Sequence, residues 1–241
     1  MLHRMRAVFA KEFAGYFNSP VGYIFLVVFL VLSMFFFFAS QEFFIRNQAT
    51  MQSYFSMLPW LFLFFIPAVS MRLWAEERNR GTQEVLLTLP LQDHEVVLGK
   101  YFAAVAFIAV ALLLSGTLPL TLYFIGKPDW GPIICGYVSA VLLGSAFLAI
   151  GIFMSALTNN QILAFLGGLI VAGLFMLASW DALIGFLPEN LKQFSQYWGM
   201  GFHFQNLGRG VIDTRDVLYY VTVALFFIYV TVRAVQSRRL A

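Results

Sequence analysis

Charge is scarce in this chain. Asp, Glu, Lys and Arg make up 11% of its 241 residues, against about 25% in an ordinary soluble domain. With 61% hydrophobic residues and 28 Phe, there is too little polar surface to cover a core, which nearly excludes a soluble enzyme. Cysteine is all but missing: Cys135 alone excludes an internal disulfide and a cysteine-built metal cage. The three histidines, His3, His94 and His203, lie in separate segments, and no pair has metal-ligand spacing; His94 reads as decoration of a loop. No G-x-x-x-x-G-K-[ST] occurs. Gly99-Lys100 and Gly126-Lys127 have His94 and Thr121 where the first glycine belongs, and neither lysine is followed by Ser or Thr. Without a phosphate cradle the chain is not expected to hydrolyse ATP, and no catalytic residue, bound cofactor or metal is expected of it.

What is present is a series of long uncharged runs: 13–41, 47–71, 101–126, 130–180 and 217–232. A hydrocarbon core of about 30 Å takes about 20 residues of helix. The fourth run would reach roughly 76 Å as one helix; Thr158-Asn159-Asn160-Gln161 divides it into two. The expectation is an all-α integral membrane protein with six transmembrane helices, at about 20–40, 54–74, 98–125, 133–157, 161–180 and 216–236. The run 193–208 is too polar and glycine-rich to cross, so 181–215 is expected to hold outer-face helices that dip into the membrane. No cleavable signal peptide is expected. With six spans both termini share a side. That side carries ten of the fifteen Lys and Arg, which places it in the cytoplasm. The basic pI, about 9.1, follows from this bias, and no nucleic-acid partner is expected. Uncharged span centres disfavour a proton- or sodium-coupled transporter.

Residues 1–19 place Phe9, Phe13, Tyr16 and Phe17 on one helical face, predicting an amphipathic helix at the lipid membrane surface; Asn18-Ser19-Pro20 opens the first span. The six-helix domain is assigned to 20–236 and a cytoplasmic tail to 237–241. The five dispersed methionines Met34, Met57, Met71, Met154 and Met176 read as packing residues. Small residues at four-residue spacing, Gly136/Ala140/Gly144 and Ala164/Gly168/Ala172, predict close helix approach, favoured within one subunit over a dimer contact. Pro59, Pro67 and Pro119 are expected to kink or loosen their helices.

Between the second and third spans, residues 72–100 carry five of the twelve carboxylates. Gly81 is expected to end a helix, with Thr82 capping a short helix at about 83–88, Glu84 in its first turn and Pro90 stopping it. Asp93 is expected to cap the next span. Apolar Leu86 and Leu87 beside Glu76, Glu77, Arg78, Arg80 and Glu84 suggest a docking surface, the alternative being a solvated loop.

Glu77-Arg78-Asn79-Arg80-Gly81-Thr82-Gln83-Glu84-Val85-Leu86-Leu87-Thr88-Leu89-Pro90, closed by Gly99-Lys100, resembles the signature of ABC-2 type transporter permeases. His203-Phe204, the run Arg209-Gly210-Val211-Ile212-Asp213-Thr214-Arg215-Asp216, and Tyr219-Tyr220 resemble the branch of gliding-motility-associated and nitrous-oxide-reductase-maturation permeases. The resemblance implies a permease half with a type V exporter-like fold, an N-terminal connecting helix and a cytoplasmic coupling segment at 76–95. It also implies a bacterial inner-membrane location, a homodimer, two ABC ATPase subunits that carry ATP and Mg, and room for an auxiliary periplasmic or membrane subunit. Glu76, Glu77, Arg78, Arg80, Gly81, Thr82, Glu84, Leu86 and Leu87 are the implied ATPase contacts; no substrate residue is implied. The alternative is a membrane anchor or assembly subunit without a solute path of its own.

Overall fold

A computed structural model describes residues 2–39, 50–82, 92–126, 128–185 and 188–239. All regular structure among them is helical. The N-terminal α1 (Leu2–Asn18) is followed by α2 (Pro20–Ala39), α3 (Gln52–Ser70), α4 (Arg72–Asn79), α5 (Asp93–Leu114) and α6 (Thr117–Ile125). Then come α7 (Trp130–Leu157), α8 (Gln161–Leu177), three short helices α9 (Asp181–Ile184), α10 (Glu189–Trp198) and α11 (Met200–Gly208), and the long α12 (Thr214–Arg239).

Five stretches are long and apolar enough to cross a membrane: Pro20–Phe38, Gln52–Asn79, Asp93–Ile125, Trp130–Leu157 and Thr214–Ser237. The remaining expected span, at 161–180, corresponds to α8, which is apolar but only 17 residues long, about 26 Å of helix. The polar break before it forms as expected: Asn160 caps α8, its side chain accepting from the Ile162 N–H at 2.8 Å.

The centre of the bundle is α7, which packs against α3, α4, α5, α8, α11 and α12. Its small residues make this possible. A Cβ on Gly136 would collide with the Phe55 ring, and one on Gly144 would stand 3.3 Å from Phe62. On α8, a Cβ on Gly168 would stand 3.3 Å from Pro67. Both stripes therefore join helices within one chain, as favoured.

Two of the expected spans are jointed. Pro119 has no N–H to give the Ser115 carbonyl, and the helix breaks at Ser115–Gly116 between α5 and α6. Tyr137 on α7 donates to that carbonyl at 3.2 Å, and the Leu118 N–H reaches it at 3.0 Å. The second joint lies at Met71, four residues after Pro67. There Ser155 of α7 accepts from the Trp74 and Ala75 N–H groups at 3.1 and 3.0 Å and donates to the Met71 carbonyl at 2.8 Å. A side chain 80 residues distant thus does what an N-cap residue does locally.

Several expectations need correction. The N-cap of α5 is Gln92, not Asp93, and the Glu95 carboxylate reaches back to accept from the Gln92 N–H at 3.1 Å. His94 consequently sits in the first turn of α5 rather than in a loop. The second span extends through α4 to Asn79, beyond the expected 74. The expected short helix at 83–88, with Glu84, Leu86 and Leu87, lies outside the described residues.

Candidate functional site

Two polar clusters stand out in this apolar bundle. They lie at opposite ends of α7: Ser155 joins the first end and Ser139 the second, about 24 Å apart along the helix.

The first cluster centres on Lys100, on α5, which is 1% exposed. Its ammonium bonds Glu12 Oε1 on α1 at 2.9 Å and Glu77 Oε1 on α4 at 2.8 Å. It also stands 5.3 Å from the centroid of the Trp74 ring. Burying a lone ammonium costs several kcal/mol; two carboxylates and an aromatic face offset that cost. The helix α1 reaches this position because Met5, Val8, Phe9, Glu12, Phe13, Tyr16 and Phe17 share its inward face. Tyr16 stacks on Phe107 of α5 at 4.5 Å. Gly99 admits Val8: a Cβ there would lie 2.8 Å from it. The Gly99-Lys100 pair thus has two duties, close approach of α1 and its ionic fastening.

The surrounding charges are tied to the same end. Glu76 pairs with Arg72 at 2.8 Å and with Arg80 at 2.6 Å. Arg78 donates to the Ala156 carbonyl at 2.8 Å and to Asn159 Oδ1 at 3.2 Å, where the C-terminus of α7 presents free carbonyls. Gly81 takes φ +69°, the left-handed conformation expected after a helix, and Thr82 Oγ1 donates to the Glu77 carbonyl at 3.2 Å.

A cavity of about 530 Å³ opens between α1, α2, α4 and α5, with Lys11, Tyr16, Phe25, Arg72 and Glu77 in its lining. Burial, reinforced by the Glu12 carboxylate and opposed by Arg72, pushes the Tyr16 phenol well above its ordinary range, so it remains a hydroxyl. Tyr16 Oη and Glu77 Oε2 have no hydrogen-bond partner. A buried polar atom left so costs about 1–3 kcal/mol.

The second cluster gathers the C-terminal motif. His203 Nδ1 lies 2.6 Å from Asp216 Oδ1, and Nε2 lies 3.0 Å from the Tyr197 carbonyl oxygen. A carbonyl only accepts, so Nε2 carries a proton. The ring stacks on Tyr219 at 4.0 Å. Tyr219 donates to the Trp198 carbonyl at 2.6 Å and Tyr220 to the Met200 carbonyl at 2.7 Å. On α7, Ser139 donates to the Phe204 carbonyl at 3.4 Å. Residues from α10, α11 and α12 are thereby locked together, with Gly210 at φ +93° turning the chain between the last two. Beside them a cavity of about 870 Å³, between α3, α7, α8 and α11, includes Gln52, Trp60, Asp129, Trp180, Gln205 and Arg209 in its lining.

Of the nine contact residues expected from sequence, Glu76, Glu77, Arg78, Arg80, Gly81 and Thr82 come together at one end of the bundle. Glu76, Glu77, Arg78 and Arg80 are all engaged with their own chain, Arg80 while staying largely exposed. Glu84, Leu86 and Leu87 fall outside the described residues. Sequence reasoning missed Glu12, Trp74, Lys100 and Ser155. Glu12 did leave a signal, a lone acid on the apolar face of α1. Among the described residues no group of three His, Cys, Asp or Glu side chains is placed to hold a metal.

No match to a curated protein was found. A family model described as "ABC-2 family transporter protein" matches residues 6–232. That match spans the spans, both polar clusters and the jointed helices alike, and the chain belongs to the ABC-2 family of transporter proteins.

Proposed function

We propose that this chain is one half of a dimeric ABC-2 permease whose energy comes from two separate cytoplasmic ATPase subunits bound at residues 76–95. In this reading α8 completes six spans, both termini face the cytoplasm of a bacterium, α1 lies at the inner face of the membrane, and 181–215 lies at the outer face. ATP and Mg belong to the partner. The observation that carries the proposal is the Lys100 bridge to Glu12 and Glu77. It fastens three helices together immediately beside the 76–95 segment, so a push on that segment reaches α1 and α5 at once. The cavity at the other end supports a solute path over a mere anchor.

Copurification of an ABC ATPase with the full-length protein from native membranes tests the reading. Glu84→Lys and Leu87→Asp should each leave the protein in the membrane and weaken ATPase binding or uncouple hydrolysis. If both variants assemble and work normally, the docking surface is elsewhere. Topology is checked by cysteine substitution at His3, Asp129 and Arg238. Only the cysteine at 129 should react with an impermeant reagent from outside; outside labelling at 3 or 238 would sink the orientation.

A further inference from the structure

We propose that the cavity beside α11 binds a single-chain amphiphile ending in an oxyanion, a carboxylate or phosphate, with its head on Arg209 and its chain on Trp60 and Trp180. The inference deepens the proposed solute path and rests on it. The cavity has two unlike ends, and α11 runs between them. At one end a Cβ on Gly201 would meet Ser179 and the Met176 methyl. Trp180 stands edge-on to Trp60 there, the ring centroids 6.1 Å apart. At the other end a Cβ on Gly210 would stand 3.3 Å from Pro132, in the first turn of α7. That end therefore holds Arg209 and Asp129, the N-cap of α7. Gly201 and Arg209 are eight residues apart, about 12 Å along a helix. An aromatic end and a polar end at that separation suit a ligand with an apolar body and a polar head.

The state of each charge selects the sign of that head. Asp129 and Arg209 are the two charged side chains of the lining. Asp129 is committed to α7: its Oδ1 accepts from the Gly131 N–H at 3.1 Å, and the positive end of the helix dipole offsets its charge. Arg209 has no ion pair among the described residues, and its side chain is exposed. A free guanidinium holds an oxyanion through two parallel N–H bonds. The exposed carboxamides of Gln52 and Gln205 add N–H donors. Trp60 and Trp180 are 37% and 48% exposed, so both indoles are open to a ligand. The volume, about 870 Å³, lies within the range of about 300–1,000 Å³ usual for small organic ligands, which favours one chain over two.

Binding of dodecyl phosphate to the full-length protein in phosphatidylcholine nanodiscs tests it, measured above binding to empty nanodiscs. Dodecyl maltoside and dodecyltrimethylammonium are the uncharged and cationic probes of equal chain length. The phosphate should bind saturably, about tenfold tighter than the maltoside, the worth of a charge-assisted hydrogen bond. Arg209→Gln should abolish that difference. Gly208 also lines the cavity, and a Cβ on it would meet nothing within 4 Å. Gly208→Leu therefore fills space without displacing the protein, and should abolish binding with the thermal midpoint unchanged. Neither inorganic phosphate nor phosphatidylglycerol in the nanodisc should compete. Equal or tighter binding of either other probe would overturn the proposal, as would indifference to either substitution or competition by inorganic phosphate or phosphatidylglycerol. Binding is read without the ATPase, so its absence overturns this inference alone, whereas failed ATPase copurification overturns the permease reading alone.

Discussion

The two ends of the bundle bury charge in different ways. At the Lys100 end, the bonds join helices far apart in sequence: Lys100 reaches 88 residues back to Glu12 and 23 back to Glu77. Cavities adjoin both clusters, but at this end Tyr16 Oη and Glu77 Oε2 lack partners. At the His203 end, the bonds of His203, Tyr219 and Tyr220 span 6 to 21 residues, Ser139 adds one across 65, and both ring nitrogens and both tyrosine hydroxyls are matched. A matched cluster has one good arrangement and acts as a fastening. An incompletely matched cluster between separable helices has room to rearrange. The first end is therefore expected to move during transport and the second to hold, which the following substitutions test.

Removing Lys100 should produce the largest effect. Lys100→Met leaves Glu12 and Glu77 buried without a counter-charge and should cost about 3–5 kcal/mol, read as a lowered thermal midpoint in detergent. Adding Glu12→Gln and Glu77→Gln should restore most of that stability while coupling to the ATPase stays impaired. Full recovery of coupling would reduce the bridge to a structural tie and break the comparison.

His203→Phe tests the other end. The ring stack on Tyr219 is kept, but Asp216 loses its partner, at a cost of about 3 kcal/mol. ATPase binding should be unchanged, because the site lies across the bundle. A variant that binds the ATPase poorly while remaining folded would show the two ends to be linked.

Ser155→Ala removes the acceptor of two backbone N–H groups at the Met71 joint and should cost about 1–2 kcal/mol, the usual worth of an N-cap. Hydrogen exchange at Trp74 and Ala75 should rise with little change elsewhere. The smallest expected effect on stability is that of Gly81→Ala, about 1 kcal/mol for a side chain in the left-handed region. Its readout is uncoupled hydrolysis with a nearly unchanged thermal midpoint, which would place Gly81 on the moving side of the comparison.

The sequence by itself determined the membrane class, the helical runs, the apolar face of α1 (though not that it packs against α5), the turn at Thr158–Asn160 and the left-handed Gly81. Each depends on signals within a few residues: apolar periodicity, the absence of charge, or a residue permitted at a special backbone angle. The Asp93 cap failed on the same scale, because Gln92 was an equally available neighbour and Glu95 could reach it. Tertiary structure alone decided that Lys100 would pair with Glu12 and Glu77, that Ser155 would cap the Met71 joint, and that His203 would face Asp216. Spacing along the chain carries no preference among distant partners. The choice falls to packing: Gly99 lets α1 approach α5, Gly136 and Gly144 draw α7 against α3, and the polar groups that meet must satisfy one another because little water reaches them.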